Sequence, residues 1–192
     1  MEIEQIQSDQ VYLIHDFLTP QECELYIAHS EAIGFRKAPI TTLAGPVMAP
    51  EVRNNSRVMI DDYHLAEVLF KRARPLLPEI VDGWKLAGFN ERLRYYRYNP
   101  GEKFARHFDG YYKRNSNEVS KLTFMLYLND SFEGGETRFF VYPEAKVVPE
   151  KGMALVFVHK RLHEGCEVKS GTKYVLRTDV LYSRWSRAEL NH

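Results

Sequence analysis

His107-Phe108-Asp109, together with His163 and Lys173, is the group of residues in this chain best suited to chemistry. Side chains two apart in an extended strand point to the same face, so an imidazole at 107 and a carboxylate at 109 can grip one ion. A second imidazole from a distant strand completes a set of two nitrogens and one oxygen. Such a set holds Fe(II) on one side and leaves coordination positions open to substrate and oxygen. Lys173 follows His163 by ten positions, and its ammonium could pair with an acidic co-substrate. These residue types at these spacings point to iron-dependent oxidation.

A His-x-Asp triplet alone has a bland explanation, a hydrogen-bonded histidine and a turn aspartate, but its surroundings favour the metal. The turn Asn99-Pro100-Gly101 puts Tyr98 on the neighbouring strand, within reach of the same cavity. Residues 122–128 alternate. Leu122, Phe124, Leu126 and Leu128 make an apolar face, while Thr123, Met125 and Tyr127 make a mixed face suited to a small polar pocket. His159 with Lys169 repeats the ten-residue spacing, yet Lys169 precedes the turn Ser170-Gly171 whereas Lys173 opens an alternating strand. In that strand Lys173, Val175, Arg177 and Asp179 share a face, so Arg177 is a second candidate for the co-substrate cation, with pairing to Asp179 as its structural alternative. His15, His29, His64 and His192 read as surface or helix residues, and Cys166 as a small buried side chain. The helical His-Glu-x-x-His of zinc hydrolases and the Gly-x-Ser-x-Gly elbow are absent, and Gly134-Gly135 has no helix after it to bind phosphate.

The elements that must position these residues fall into two parts. The first ninety residues read as mixed α and β, with a strand over 11–14. Thr19-Pro20-Gln21-Glu22 combines a cap, a first-turn proline and a capping-box glutamate, so a helix is predicted to about residue 32, ending near Gly34. Residues 38–55, rich in proline and asparagine, read as a long loop, and 64–74 as a second helix stopped by Pro75. From residue 91 the period changes to two, and strands are predicted over 93–98, 104–109, 122–128, 137–141, 146–148, 154–158, 167–168 and 173–182. Short strands between Gly and Pro turns give an α+β, predominantly β chain of the sandwich or jelly-roll kind. One domain is expected over 1–192, with 1–90 as support and 91–185 as the core.

The chain has 192 residues, a formal net charge of zero and 44% hydrophobic residues, which is ordinary globular composition. Zero net charge supplies no basic field for nucleic acid, so nucleic-acid dealkylation is disfavoured. Two cysteines make no disulfide framework, the acidic N-terminus lacks a secretory pattern, and no apolar run is long enough to span a bilayer. A cytoplasmic protein with no membrane or nucleic-acid partner is the expectation; the oligomeric state is not legible.

Residues 98–182 resemble the catalytic domain of prolyl 4-hydroxylases and their bacterial relatives, the 2-oxoglutarate- and Fe(II)-dependent dioxygenases. The pieces that carry the resemblance are residues 98–109, Tyr127-Leu128-Asn129, Gly134-Gly135-Glu136-Thr137, residues 149–157, His163-Glu164-Gly165 and Gly171-Thr172-Lys173. The resemblance implies a double-stranded β-helix with supporting N-terminal helices, and His107, Asp109 and His163 as iron ligands. It implies Lys173 on the distal carboxylate of 2-oxoglutarate, with Tyr127 and Thr137 helping and Tyr98 near co-substrate or substrate. O2 consumption, release of succinate and CO2, ascorbate as a reductant, and hydroxylation of a prolyl residue in a peptide or protein follow from the same likeness. A small-molecule or amino-acid substrate and a non-catalytic sensor that keeps the fold are the alternatives. Residues 38–55 and 110–120, with Tyr111, Tyr112, Lys113 and Arg114, are candidate walls of a substrate entrance, where Arg57 could hold a peptide.

Overall fold

The computed structural model describes residues 1–7, 10–42, 44–140 and 142–185. Its main sheet is antiparallel throughout, in the spatial order Ile3–Gln5, Val11–Ile14, Ala154–Val158, Glu118–Tyr127, Lys173–Ser183, Arg92–Tyr98, Ser56–Asp61 and Arg36–Lys37. Trp84–Phe89 pairs with the far half of Lys173–Ser183. A smaller sheet runs Phe104–His107, His163–Gly165, Thr137–Phe139, Ala145–Val147.

Alternation along the central strands divides the interior in two. One face of the main sheet, with Leu122, Phe124, Leu126, Tyr95 and Leu176, packs on the helices Pro20–Ile33 and Tyr63–Ala73 through Cys23, Ala66 and Leu69. The opposite face, with Tyr96, Tyr98, Tyr127, Leu155, Phe157 and Val175, meets Phe139 and Val147 of the smaller sheet. Helices, main sheet and small sheet therefore form three layers, and the two sheets make a double-stranded β-helix.

Local chemistry sets the helix ends. Thr19 Oγ1 accepts from Glu22 N at 3.2 Å while a Glu22 carboxylate oxygen accepts from Thr19 N at 2.8 Å, the predicted capping box. Glu22 also takes two hydrogen bonds from Arg72, at 2.6 and 3.0 Å, tying the first helix to the second. Those bonds hold its carboxyl down at about 2 against the opposing effect of burial.

Three local expectations are revised. Residues 38–55 contain a hairpin, Ile40–Thr42 against Gly45–Val47; Pro46 fits because this ladder has two strands only and both are edges. The strand predicted over 104–109 ends at His107, because its partner stops at His163, directly opposite, and leaves 108 and 109 without a ladder. The central strand begins at Glu118, earlier than Leu122. Val141 and His192 lie outside the described residues.

Candidate metal centre

His107 and His163 are direct cross-strand partners in the small sheet, and Phe139 pairs with His163 on its other side. Opposed residues of an antiparallel pair share a face, so both imidazoles enter the space between the sheets, their ring centroids 4.3 Å apart. Asp109, two residues past the strand end, turns its carboxylate into the same space. Oδ1 lies 3.7 Å from His107 Nε2 and Oδ2 lies 3.9 Å from His163 Nε2. The three donor atoms are within 4.8 Å of one another.

Hydrogen bonds fix which atoms face the centre. His107 Nδ1 is 2.8 Å from Ala105 O, and His163 Nδ1 is 2.8 Å from Arg161 O. A carbonyl only accepts, so each Nδ1 carries a proton and each Nε2 is the ring atom turned to the centre. Burial pushes His163 down to about 4, which keeps it neutral at physiological pH. Burial would raise Asp109, but the Arg177 guanidinium beside it holds its carboxyl well below the usual carboxylate range. Two imidazole Nε2 atoms and one ionised carboxylate, preset by their partners, fit a divalent cation.

Behind Asp109 lies a second layer. Thr123 Oγ1 donates to Oδ2 at 2.6 Å, and Arg177 Nη2 reaches the same oxygen at 3.1 Å. Thr123 Oγ1 also sits 3.1 Å from His159 Nδ1, whose Nε2 is 2.8 Å from Ser120 Oγ. The threonine proton goes to the carboxylate, so His159 Nδ1–H must donate to Thr123 and its Nε2 must accept from Ser120. His159 is thus a buried neutral partner, kept away from the ligand set. Arg177 continues to Asp179 at 3.3 Å, which also pairs with Arg94 at 3.1 Å. Phe104 stacks on His107, centroids 3.5 Å apart.

Lys173 closes the other end of the cavity. It is 3% exposed, its Nζ donates to Gly135 O at 2.5 Å, and the Tyr98 and Tyr127 ring centres each lie 5.3 Å away. Among the described residues no carboxylate pairs with it, and burial pushes it down to about 8. Tyr127 Oη and Thr137 Oγ1 are hydrogen-bonded at 2.7 Å and fully buried beside it. A buried ammonium without an anion, flanked by hydroxyls, suits the carboxylate of a small ligand. Tyr98, Thr137, Lys173 and Arg177 line one cavity with the three donors; Tyr127 stands behind it, and Arg177 is directed at Asp109 and Asp179 rather than at the Lys173 end. Tyr111 lines a separate cleft, with Pro78, Ile80, His159 and Lys160, that opens on Asp109.

Sequence reasoning left out Arg53, Tyr96 and the roles of Thr123 and His159. Alternation along 93–98 already puts Tyr96 on the face of Tyr98. Nothing in the sequence signals Arg53, which arrives from the segment after the hairpin to lie over the Tyr96 and Phe104 rings, at 4.8 and 4.3 Å.

A double-stranded β-helix with two histidines and an aspartate converging between its sheets defines the class of mononuclear metal oxygenases. Residues 93–179 match the model of the 2OG-Fe(II) oxygenase superfamily. The chain is 27% identical over 204 residues to prolyl 4-hydroxylase 1 of Arabidopsis thaliana, covering 87% of this chain and 67% of that protein. A Pseudomonas putida prolyl-4-hydroxylase structure superposes with a TM-score of 0.69 at 20% identity, covering 93% of this chain and 94% of the other. A Trichoplax adhaerens prolyl hydroxylase, solved with a hypoxia inducible factor oxygen degradation domain peptide, gives 0.69 at 16% identity, covering 90% and 84%. Over residues 93–179 the chain is thus similar to the 2OG-Fe(II) oxygenase superfamily, and over most of its length it is prolyl 4-hydroxylase-like. That likeness implies Fe(II), 2-oxoglutarate and O2 as cofactor and co-substrates, and the His107, Asp109 and His163 set fits the iron.

Proposed function

We propose that the protein hydroxylates a prolyl C–H bond in a peptide or protein, converting 2-oxoglutarate and O2 to succinate and CO2 as one oxygen atom enters the substrate. The observation that carries this reading is the single cavity with a three-donor metal set at one end and an anion-free buried lysine at the other. The likeness to prolyl 4-hydroxylases supports the prolyl acceptor.

In this reading His107, Asp109 and His163 hold the iron, which when bound supplies the oxidative chemistry on 2-oxoglutarate and O2. Lys173 receives the distal carboxylate of the co-substrate, whose arrival offsets the cost of burying the ammonium. The Tyr127 and Thr137 hydroxyls support that end, and Tyr98 forms the cavity wall over it. Thr123 and Arg177 fix the Asp109 carboxylate, while Met125, Phe157 and Val175 exclude water from the reacting centre. Ascorbate serves as an auxiliary reductant and the cytoplasm as the compartment.

The test is succinate release from purified protein with Fe(II) and 2-oxoglutarate, with and without prolyl peptides, alongside anaerobic mixing to look for a visible charge-transfer band. A band with peptide-stimulated succinate is expected. A band with succinate stimulated only by small molecules would replace the acceptor, and absence of both would make the protein a binding module.

A further inference from the structure

The floor of the iron cavity does not end at the cavity. Arg57 pairs across strands with Tyr96, and Tyr96 with Val175; two residues along, Met59 pairs with Arg94 and Arg94 with Arg177. Directly paired residues share a face, so Arg57, Met59 and Arg94 extend the surface formed by Tyr96, Val175 and Arg177 toward the sheet margin. Arg36 pairs with Arg57 at that margin and adds a further guanidinium on the same face. The platform is open there: Met59 is 45% exposed.

Its charge is unbalanced. Like charges directly opposite on neighbouring strands destabilise a sheet, yet Arg36 faces Arg57. Neither has a carboxylate within ion-pair distance among the described residues. Arg53 lies over Tyr96 and Phe104, donates through Nε to Asn55 at 2.8 Å, and buries an Nη2 that has no partner. The nearby acids are committed: Asp179 to Arg94 and Arg177, Asp109 to Arg177, and Asp61 at the far end to Arg92. Burial, with Arg53 and Arg94 close by, lowers the Arg57 pKa from its ordinary value. Burial would push the Tyr96 phenol up, but Arg177, Arg53 and Arg94 together hold it below the ordinary value. Iron and 2-oxoglutarate cancel each other's charge, so a loaded site keeps the excess.

We propose that the primary substrate is an acidic prolyl peptide whose carboxylate docks on Arg57, flanked by Arg36 and Arg53, close in sequence to the oxidised proline. This rests on the prolyl reading above. Arg57 stands two strand spacings from Val175 in the cavity wall, about 10 Å, which an extended peptide covers in about three residues. The acid therefore lies within about three positions of the target. A free proline, whose carboxylate sits on its own ring, is too short to bridge that span.

The experiment uses the full chain loaded with Mn(II) and 2-oxoglutarate, so that binding is read without turnover. Fluorescence anisotropy compares one labelled prolyl peptide carrying Glu, Gln or Lys two positions from the proline, with N-acetylproline as a competitor. The Glu peptide should bind roughly ten-fold or more tightly than the Gln peptide. Arg57→Gln should remove that preference, and Arg57→Glu should transfer it to the Lys peptide, a rescue that a misfolded variant cannot produce. Equal affinities in the parent protein, or a Glu preference that survives Arg57→Glu, would overturn the proposal. Arg57-dependent competition by N-acetylproline without peptide binding would keep the carboxylate but overturn the peptide as its source. Succinate release, measured separately with Fe(II), separates the two levels. Turnover indifferent to peptide charge leaves prolyl hydroxylation standing and removes this inference, whereas charge-selective binding without succinate keeps the carboxylate dock on Arg57 but removes the hydroxylation, and with it the peptide's role as substrate.

Discussion

Asp109 Oδ2 receives both Thr123 and Arg177, so the carboxylate cannot rotate without breaking two hydrogen bonds. Thr123→Val keeps the shape, removes the donor and leaves His159 Nδ1–H unpaired. Metal affinity should fall about 10- to 100-fold, as for other residues that orient a ligand. Mn(II) titration followed by electron paramagnetic resonance checks this; unchanged affinity would mean that Arg177 alone suffices. At the other end, Lys173→Ala should weaken 2-oxoglutarate far more than Mn(II), and equal losses would deny it the carboxylate. Lys173 titrates from about 8 rather than the ordinary 10.5. Its ammonium is present below that value and lost above it, so 2-oxoglutarate affinity should drop as pH rises through about 8. The unfolded chain keeps the same proton to about 10.5, so the ligand-free fold should gain stability across the window from 8 to 10.5. Affinity that stays flat across pH 7–9 would contradict the first expectation. The donors and the cation were legible because each rests on spacing within or after one strand. Thr123, His159 and Arg177 gather around Asp109 from 14, 50 and 68 positions away in the chain, and only the register between strands brings them together.

Elements reach this arrangement through a few backbone positions that admit no side chain. Gly152 has φ +86, and a Cβ there would lie 2.3 Å from Leu18 O, where the loop before the first helix crosses the turn into Ala154–Val158. Gly152→Ala should therefore cost more than about 2 kcal/mol, combining left-handed strain with a backbone clash. Urea unfolding measures it, and a loss below about 0.5 kcal/mol would show that the loop simply moves. Gly135 has φ +66, and a Cβ would stand 3.0 Å from Phe132 and Val168 and 3.2 Å from Lys173 Cδ. The long alternating strands were readable for the reason they are stable: opposite faces meet opposite layers. The hairpin after residue 38 was not, since Pro46 and Gly45 carry loop signals and its ladder has no third strand to impose a pattern.

For the whole molecule, an empty site leaves Asp109, His163 and Lys173 desolvated without the ligands that offset the cost. Mn(II) and 2-oxoglutarate, each at about 100 times its Kd, should together add about 5 kcal/mol. In a chain of 192 residues that corresponds to a rise in Tm of about 10–20 °C. Identical melting curves with chelator and with both ligands would contradict it. The jelly-roll class was legible from strand density. The placement of N-terminal strands was less so: Val11–Ile14, Arg36–Lys37 and Ser56–Asp61 extend the main sheet itself, because short strands this far from their partners carry no mark of where they pair.

The two imidazoles hang from the small sheet, whereas the groups that grip the carboxylate, Thr123 and Arg177, belong to the large one. A captured ion is thus a rivet through both leaves of the barrel. Stripping it should speed hydrogen–deuterium exchange most in His163–Gly165 and Phe104–His107, while the amides of Glu118–Tyr127, clamped between two neighbours, keep their protection. The rim of the site would then loosen along the small sheet, so that its ordered arrangement is one the metal helps to assemble.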